Sequence, residues 1–265
     1  MVFAAEGRPV FVGVVHLLPL PGAPVPSPGL SAVVDRAAYD ASELAAGGCD
    51  AVIVENLGDA PFSAGAVEPY TVAAMTRAVR AVQEAAPALV VGVNVLRNDA
   101  AAAVSIAAAT GAVFVRVNVH TGAMVTDQGL IEGRARETLL LRRQLGADVA
   151  IVADVLVKHA VPLGPWTLED AARDAAQRGR ADVLVVSGAG TGRPTAPDDV
   201  ARVRDVSAVP VWVGSGLSPS ALTSFGPLGG AIVGTALHAD GVVAAPVDRA
   251  RVAAMRDALE AHSVG

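Results

Sequence analysis

The chain repeats one pattern eight times: a short apolar run rich in β-branched residues, then a longer alanine-rich stretch with helical spacing. The runs cover 10–15, 51–54, 89–95, 112–119, 149–155, 181–186, 209–213 and 231–233. Most lack polar alternation, which is expected of parallel strands covered on both faces. Between them, Val33, Ala37, Ala41 and Leu44 mark the apolar face of the first helix, and Val252, Met255 and Leu259 that of the last. Thr167 with Asp170 reads as a capping box, and Ser218-Pro219 as a cap followed by proline at the first helical position. No linker or change of composition interrupts the 265 residues. The expectation is an α/β protein with one domain over 1–265, a (β/α)8 TIM barrel, whose usual length is roughly 250 residues. A doubly wound dinucleotide-binding sheet fits less well, because the first run ends in His16-Leu17-Leu18-Pro19-Leu20-Pro21-Gly22 and lacks a glycine fingerprint.

A barrel gives the C-terminal end of every strand a common address, and chemistry collects there. The first strand delivers His16, and the second Glu55, Asn56 and Asp59. The third brings Asn94, Arg97 and Asn98, and the fourth Arg116, Asn118 and His120. Asp154, Lys158 and His159 follow the fifth, and Ser187 with the glycine-rich stretch to Arg193 follows the sixth. Glu55 and Asp154 are candidate acid/base groups, with Lys158 as a third catalytic candidate. His16, Asn56, Asp59, Asn94, Arg116, Asn118, His159 and Arg193 are candidate substrate contacts. Structural readings stand beside these: an ion pair for Glu55, a turn cap for Asp59.

The last two strands end in Gly214-Ser215-Gly216 and Gly234-Thr235. Loops in these positions hold phosphate through backbone N–H groups in many barrels, and glycine lets the backbone approach an anion closely. Tight turns alone are the competing explanation. Lys158 is the sole lysine in a chain whose other long cations are all arginine. It suits an anion contact, general acid work or Schiff-base chemistry, or else a solvent-facing loop. Asp154 has two readings, an ion pair with Lys158 or Arg116 and a divalent-metal site shared with Glu55. The histidines show neither HxH nor HExxH spacing, so no metal ligand set is assigned. Ser187 lacks a nucleophile elbow, which disfavours serine hydrolase chemistry.

Composition removes other classes. A formal charge of −6 with no basic run argues against a nucleic-acid surface. No apolar run approaches the ~20 residues of a membrane span. Residues near the start, Glu6 and Arg8, precede a strand-like run and do not read as a signal peptide. One cysteine, Cys49, forbids an internal disulfide and suits the cytoplasm; it reads as a small buried apolar residue.

Several long segments together resemble the BtpA/SgcQ family. They are VGVVHLLPLPGAP from Val12, VIVENLGDAPF from Val52, VGVNVLRNDA from Val91 and VRVNVHTGAMVTDQGLIEG from Val115. ADVLVKHAVPL from Ala153, VGSGLSPSAL from Val213 and AIVGTALHADG from Ala231 complete the set. The resemblance implies a ribulose-phosphate-binding type of barrel. Cyanobacterial members of that family are associated with photosystem I biogenesis as membrane-peripheral proteins, and SgcQ-type members accompany sugar-metabolism genes. The family often shows lysine where His238 stands, a departure at the loop expected to meet the anion.

Two functional expectations follow. The first is an enzyme acting on a phosphorylated sugar or nucleotide-like molecule, by lyase, isomerase or glycosidic-bond chemistry. The second is a non-catalytic assembly or regulatory factor of the photosystem I biogenesis type. The expected partner is a phosphorylated small molecule, with no nucleic acid and no integral membrane segment; homo-oligomers are common among barrels of this kind.

Overall fold

All eight apolar runs become strands of one closed parallel barrel, each paired with the next along the chain and the last with the first. The computed structural model describes residues 8–157, 159–188, 195–214 and 216–263. The barrel strands are β1 (Val10–His16), β2 (Ala51–Glu55), β3 (Val90–Asn94), β4 (Phe114–Val117), β7 (Ala150–Val155), β9 (Val183–Ser187), β10 (Val211–Gly214) and β11 (Gly230–Val233). A separate antiparallel sheet, β5 (Ala123–Thr126), β6 (Gly129–Glu132) and β8 (Ala160–Pro162), is inserted after β4 and β7. Seven α-helices surround the barrel among the described residues: α1 (Leu30–Ala46), α2 (Pro69–Ala85), α3 (Ala100–Thr110), α4 (Ala135–Gln144), α5 (Leu168–Arg173), α6 (Pro197–Val206) and α7 (Arg249–Ser263).

Among the described residues no α-helix separates β10 from β11. After β10, Ser218 caps a turn by accepting from the Ala221 N–H at 3.3 Å, and only Leu222–Ser224 is helical, as one 3-10 turn. Gly226-Pro227 follows at once and cannot continue a helix. Where the sequence reads Ser218-Pro219 as a helix start, the chain makes a turn plugged by Leu222 and Phe225. The helix faces and the Thr167 cap are as expected: the four α1 positions and three α7 positions are buried, and Thr167 accepts from the Asp170 N–H. Cys49 is buried, and burial raises its thiol pKa far above the ordinary range.

Side chains on a strand alternate between the lumen and the helix layer. Val10, Val12 and Val14 of β1 join Ile53, Phe114, Val152, Val185, Trp212 and Ile232 in the luminal cluster. Their neighbours Phe11, Val15, Val52, Val54 and Val115 pack outward against helices. The lumen is a filled core: Phe114 and Trp212 meet edge-to-face with ring centroids 6.3 Å apart. Glycine makes room for both rings, since a Cβ at Gly92 would stand 2.3 Å from Phe114 and one at Gly230 would stand 2.7 Å from Trp212.

One clamp joins the start and end of the chain at the helix layer. The fully buried Asp40 of α1 accepts from the Val247 N–H and from Arg36 Nε, both at 2.9 Å. Arg36 in turn donates to the Ala245 carbonyl. Asp40→Ala leaves the Val247 N–H buried without an acceptor and is expected to cost about 2–3 kcal/mol of stability in urea unfolding. Asp40→Asn, which keeps one acceptor oxygen, is expected to cost less.

Candidate functional site

The parity that fills the lumen with valine also decides what crowns it. Two residues beyond the last luminal apolar side chain of seven strands, and two beyond Gly92 on β3, lies the last inward residue: His16, Glu55, Asn94, Arg116, Asp154, Ser187, Gly214 and, just past β11, Gly234. Strand register sets His16 beside Glu55 and Glu55 beside Asn94. The apolar layers end here, and a polar layer faces the mouth.

Two cavities meet above this layer, sharing Glu55, Leu57 and Arg116. The smaller, about 270 Å³, is walled by His16, the turn Gly216-Leu217-Ser218 and the turn Gly234-Thr235-Ala236. The larger, about 490 Å³, is walled by Phe62, Leu96, Arg97, Asn118, Asp127, Gln128 and His159. Backbone and small residues thus surround one end, and long polar side chains the other.

Glu55 stands between the two. Its Oε2 accepts from Asn94 Nδ2 at 2.5 Å, and Asn94 is the carboxylate's one hydrogen-bond partner among the described residues. A carboxylate held through one oxygen keeps the other available to a ligand. Asp154 is engaged quite differently. Arg116 grips it through Nε at 3.0 Å and Nη2 at 2.8 Å, Asn118 Nδ2 donates at 2.8 Å, and Ser187 Oγ at 3.1 Å. Its side chain is fully buried. Of the two readings of Asp154, the structure takes the ion pair with Arg116. Its oxygens already face a guanidinium, an amide and a hydroxyl, a donor set unsuited to a metal shared with Glu55.

This pair fixes its neighbours. Burial opposes the charge on Arg116, but Asp154 beside it more than offsets that and raises its pKa. Its Nη1 has no partner among the described residues and belongs to the side chain that walls both cavities. Asp154 can only accept, so the Asn118 amide must present its N–H₂ there. Asn118 Oδ1 is left buried without a partner among the described residues, on the wall of the larger cavity. Burial also lowers the pKa of Arg97, against the pull of Asp154 and Glu55.

Other candidates from the sequence brace the rim. Asn56 and Asp59 turn away from both cavities: Asn56 Nδ2 donates to Asp59 Oδ2 at 3.0 Å, and its Oδ1 accepts from the Leu96 N–H at 2.7 Å. Asp59 Oδ1 accepts from the Leu20 N–H at 2.8 Å, so these two residues tie together the loops after β1, β2 and β3. Burial raises the Asp59 pKa, while the Leu20 and Asn56 hydrogen bonds oppose the rise. His120 is buried against the Gly179 carbonyl at 2.8 Å and belongs to neither cavity. Lys158, Arg193 and Ser215 lie outside the described residues.

Asp127 and Gln128 are the residues that sequence reasoning missed. They form the tip of the β5–β6 hairpin, which hangs over the larger cavity. A signal was present: Asp127-Gln128-Gly129 lies between Met124-Val125-Thr126 and Leu130-Ile131, and Gly129 has φ +101°. The hairpin's two strands, Ala123–Thr126 and Gly129–Glu132, are four residues each, too short to stand out as apolar runs.

Comparison with known proteins follows the same lines. Residues 7–261 match the BtpA family. The photosystem I biogenesis protein BtpA of Synechocystis is 47% identical over 253 residues, covering 94% of this chain and 87% of that protein. Among solved structures, thiamine phosphate pyrophosphorylase from Pyrococcus furiosus superposes with a TM-score of 0.59 at 14% identity, covering 97% of this chain and 98% of its own. A 3-hexulose-6-phosphate synthase gives 0.55 at 16% identity, covering 95% and 98%. These two likenesses establish the barrel fold. Among the described residues no helix is long and apolar enough to cross a membrane.

Proposed function

This chain belongs to the BtpA family, and we propose that its barrel mouth binds a phosphorylated small molecule, most simply a phosphosugar, and catalyses proton-transfer chemistry on it. One observation carries the reading: Glu55 and Arg116 form the boundary between a cavity walled by glycine-bearing turns and one walled by polar side chains. The phosphate sits in the first, against the backbone of 216–218 and 234–236 and within the field of Arg116. The rest of the molecule occupies the second. There Asn118 Oδ1 accepts from a ligand hydroxyl, and Arg97 and Arg116 stabilise charge that develops on an oxygen. Glu55 is the acid/base group, steadied by Asn94. Lyase and isomerase reactions through an enediolate use these elements, as does cleavage of a glycosidic bond. The phosphate-named enzymes that share the fold support the ligand class. The lone, buried cysteine supports a cytoplasmic setting.

The first test is thermal. Inorganic phosphate, then a panel of phosphosugars and nucleotides, is expected to raise the Tm of the wild type. A ligand at about 100 times its Kd contributes about 2.7 kcal/mol, which at this chain length is several degrees. Gly234→Ala is expected to abolish the shift, because its Cβ would stand 2.7 Å from His16 Cε1 and close the smaller cavity. If no phosphorylated compound moves the wild-type Tm, the reading fails.

A second reading, a non-catalytic assembly factor, is favoured by the Synechocystis relative's name. An exposed apolar row on the inserted sheet, Leu130 beside Val125 beside Val161, offers it a surface. On that reading Glu55→Gln leaves assembly intact.

A further inference from the structure

The inserted sheet has two edges, β6 and β8, and they are not equivalent. Along an antiparallel ladder, residues alternate between turning their N–H and C=O toward the neighbouring strand and away from it. On β8 the Leu163 N–H donates to the Ala123 carbonyl and Val161 lies opposite Val125, so Pro162 faces outward. Proline has no N–H to offer, and that edge is blunted. On β6 the Gly133 N–H donates to the Gly122 carbonyl at 2.8 Å, and Ile131 and Gly129 stand opposite Met124 and Thr126. Leu130 and Glu132 therefore turn their backbone N–H and C=O away from β5. Both residues are exposed, and among the described residues no other backbone pairs with those groups.

Charge along this edge runs from acidic to basic. Asp127 stands at the hairpin tip just before β6, and Arg134 follows its end. Asp127 accepts from its neighbour Gln128, and neither Asp127 nor Arg134 forms an ion pair among the described residues. An edge that is acidic at one end and basic at the other is complementary to an antiparallel copy of itself, which is the isologous arrangement of a two-fold dimer. We propose that β6 pairs with β6 of a second copy of this chain, about a two-fold axis at Ile131. The proposal goes beyond the phosphate reading and does not depend on it.

In that register Leu130 of each copy lies opposite Glu132 of the other, and every outward N–H meets an outward C=O. Leu130, exposed in the single chain, gains a cross-strand neighbour on its far side. Gln128 lies opposite the partner subunit's Arg134, which brings that guanidinium beside Asp127, and the two-fold axis repeats the contact. A register centred on Glu132 would set two carboxylates directly opposite each other, which is unfavourable. Asp127 and Gln128 also wall the larger cavity, so each mouth acquires the partner subunit's Arg134 at its rim.

Sedimentation velocity on the full chain tests the pairing. A dimer is expected at about 0.1 mM, and a monomer at that concentration overturns the proposal. Asp127→Arg and Arg134→Asp are each expected to give monomers, because like charges then meet at both ends of the joint. The double variant, Asp127→Arg with Arg134→Asp, reverses the polarity of the edge and is expected to dimerise again. Arg134 is the N-cap residue of α4, where aspartate is favoured, and Asp127 is an exposed turn residue, so the fold tolerates both changes. Leu130→Pro supplies a variant that leaves the charges alone. It removes an N–H that the single chain does not use, and is expected to abolish the dimer. In amide hydrogen exchange the Leu130 and Glu132 amides are expected to be protected in the wild type, and the Glu132 amide to exchange freely in Leu130→Pro. A dimer that survives the single reversals and Leu130→Pro, a double variant that stays monomeric, or a dimer whose Leu130 and Glu132 amides exchange freely overturns the proposal. The phosphate reading stands in each of those cases.

Discussion

Asp154→Ala is expected to lose about 3–5 kcal/mol of stability, seen as a fall in the urea midpoint at unchanged m-value. The size follows from what is stranded. Arg116 is almost wholly buried, and its two bonds to Asp154 are what compensate its charge. Asn118 Nδ2 and Ser187 Oγ lose the same acceptor. Asp154→Asn is expected to suffer nearly as much, because four donor contacts converge on a group that would now present a donor of its own. The informative variant is the double one. Arg116→Met with Asp154→Leu removes both charges at similar volume, and is expected to recover most of the stability, since a buried pair contributes little over an apolar replacement. It should nonetheless fail to bind phosphate, having lost the cation at the boundary of the cavities. A stable Asp154→Ala protein would show that the pair is not the linchpin of the rim.

Glu55→Gln is expected to reduce kcat by about 10²–10⁴-fold on whichever phosphosugar most raises the wild-type Tm, with that Tm shift preserved. Gln retains an acceptor oxygen for Asn94 Nδ2, so the 2.5 Å contact has a successor and the fold is undisturbed. Only the proton-transfer capacity is removed. Separation of binding from turnover is the signature: a variant that binds and does not turn over supports the acid/base role. A wild-type rate in Glu55→Gln would assign the chemistry to another group, and loss of both rate and binding would make Glu55 a ligand contact.

Most of the fold was legible because it is local. Eight apolar runs and the α1 and α7 stripes are periodicities within a few residues, and each appears where the spacing puts it. The polar crown was legible for a related reason, since strand ends and side-chain parity are also local properties. The same parity separates Glu55 from Asn56: consecutive residues face opposite ways, so one enters the mouth and the other braces a loop. What the sequence withheld depends on distant partners. Whether Asp154 pairs with Arg116 or Lys158 depends on side-chain reach between strands. The meeting of His16 and His238 needs barrel closure across 222 residues. The inserted β5–β6–β8 sheet was hidden because its strands are three or four residues long.

The crown also sets the terms on which such a protein can diversify. Because every member of it is the last inward residue of a strand, exchanging one side chain alters the mouth and leaves the valine layers beneath untouched. An insertion or deletion of one residue within a strand does the reverse. It would turn Val54 into the mouth and Glu55 into the helix layer, exposing a charge to the oily wall. Lineages built on this frame are thus free to change chemistry by substitution and to lengthen loops, as the hairpin after β4 illustrates, while their strands stay fixed in length.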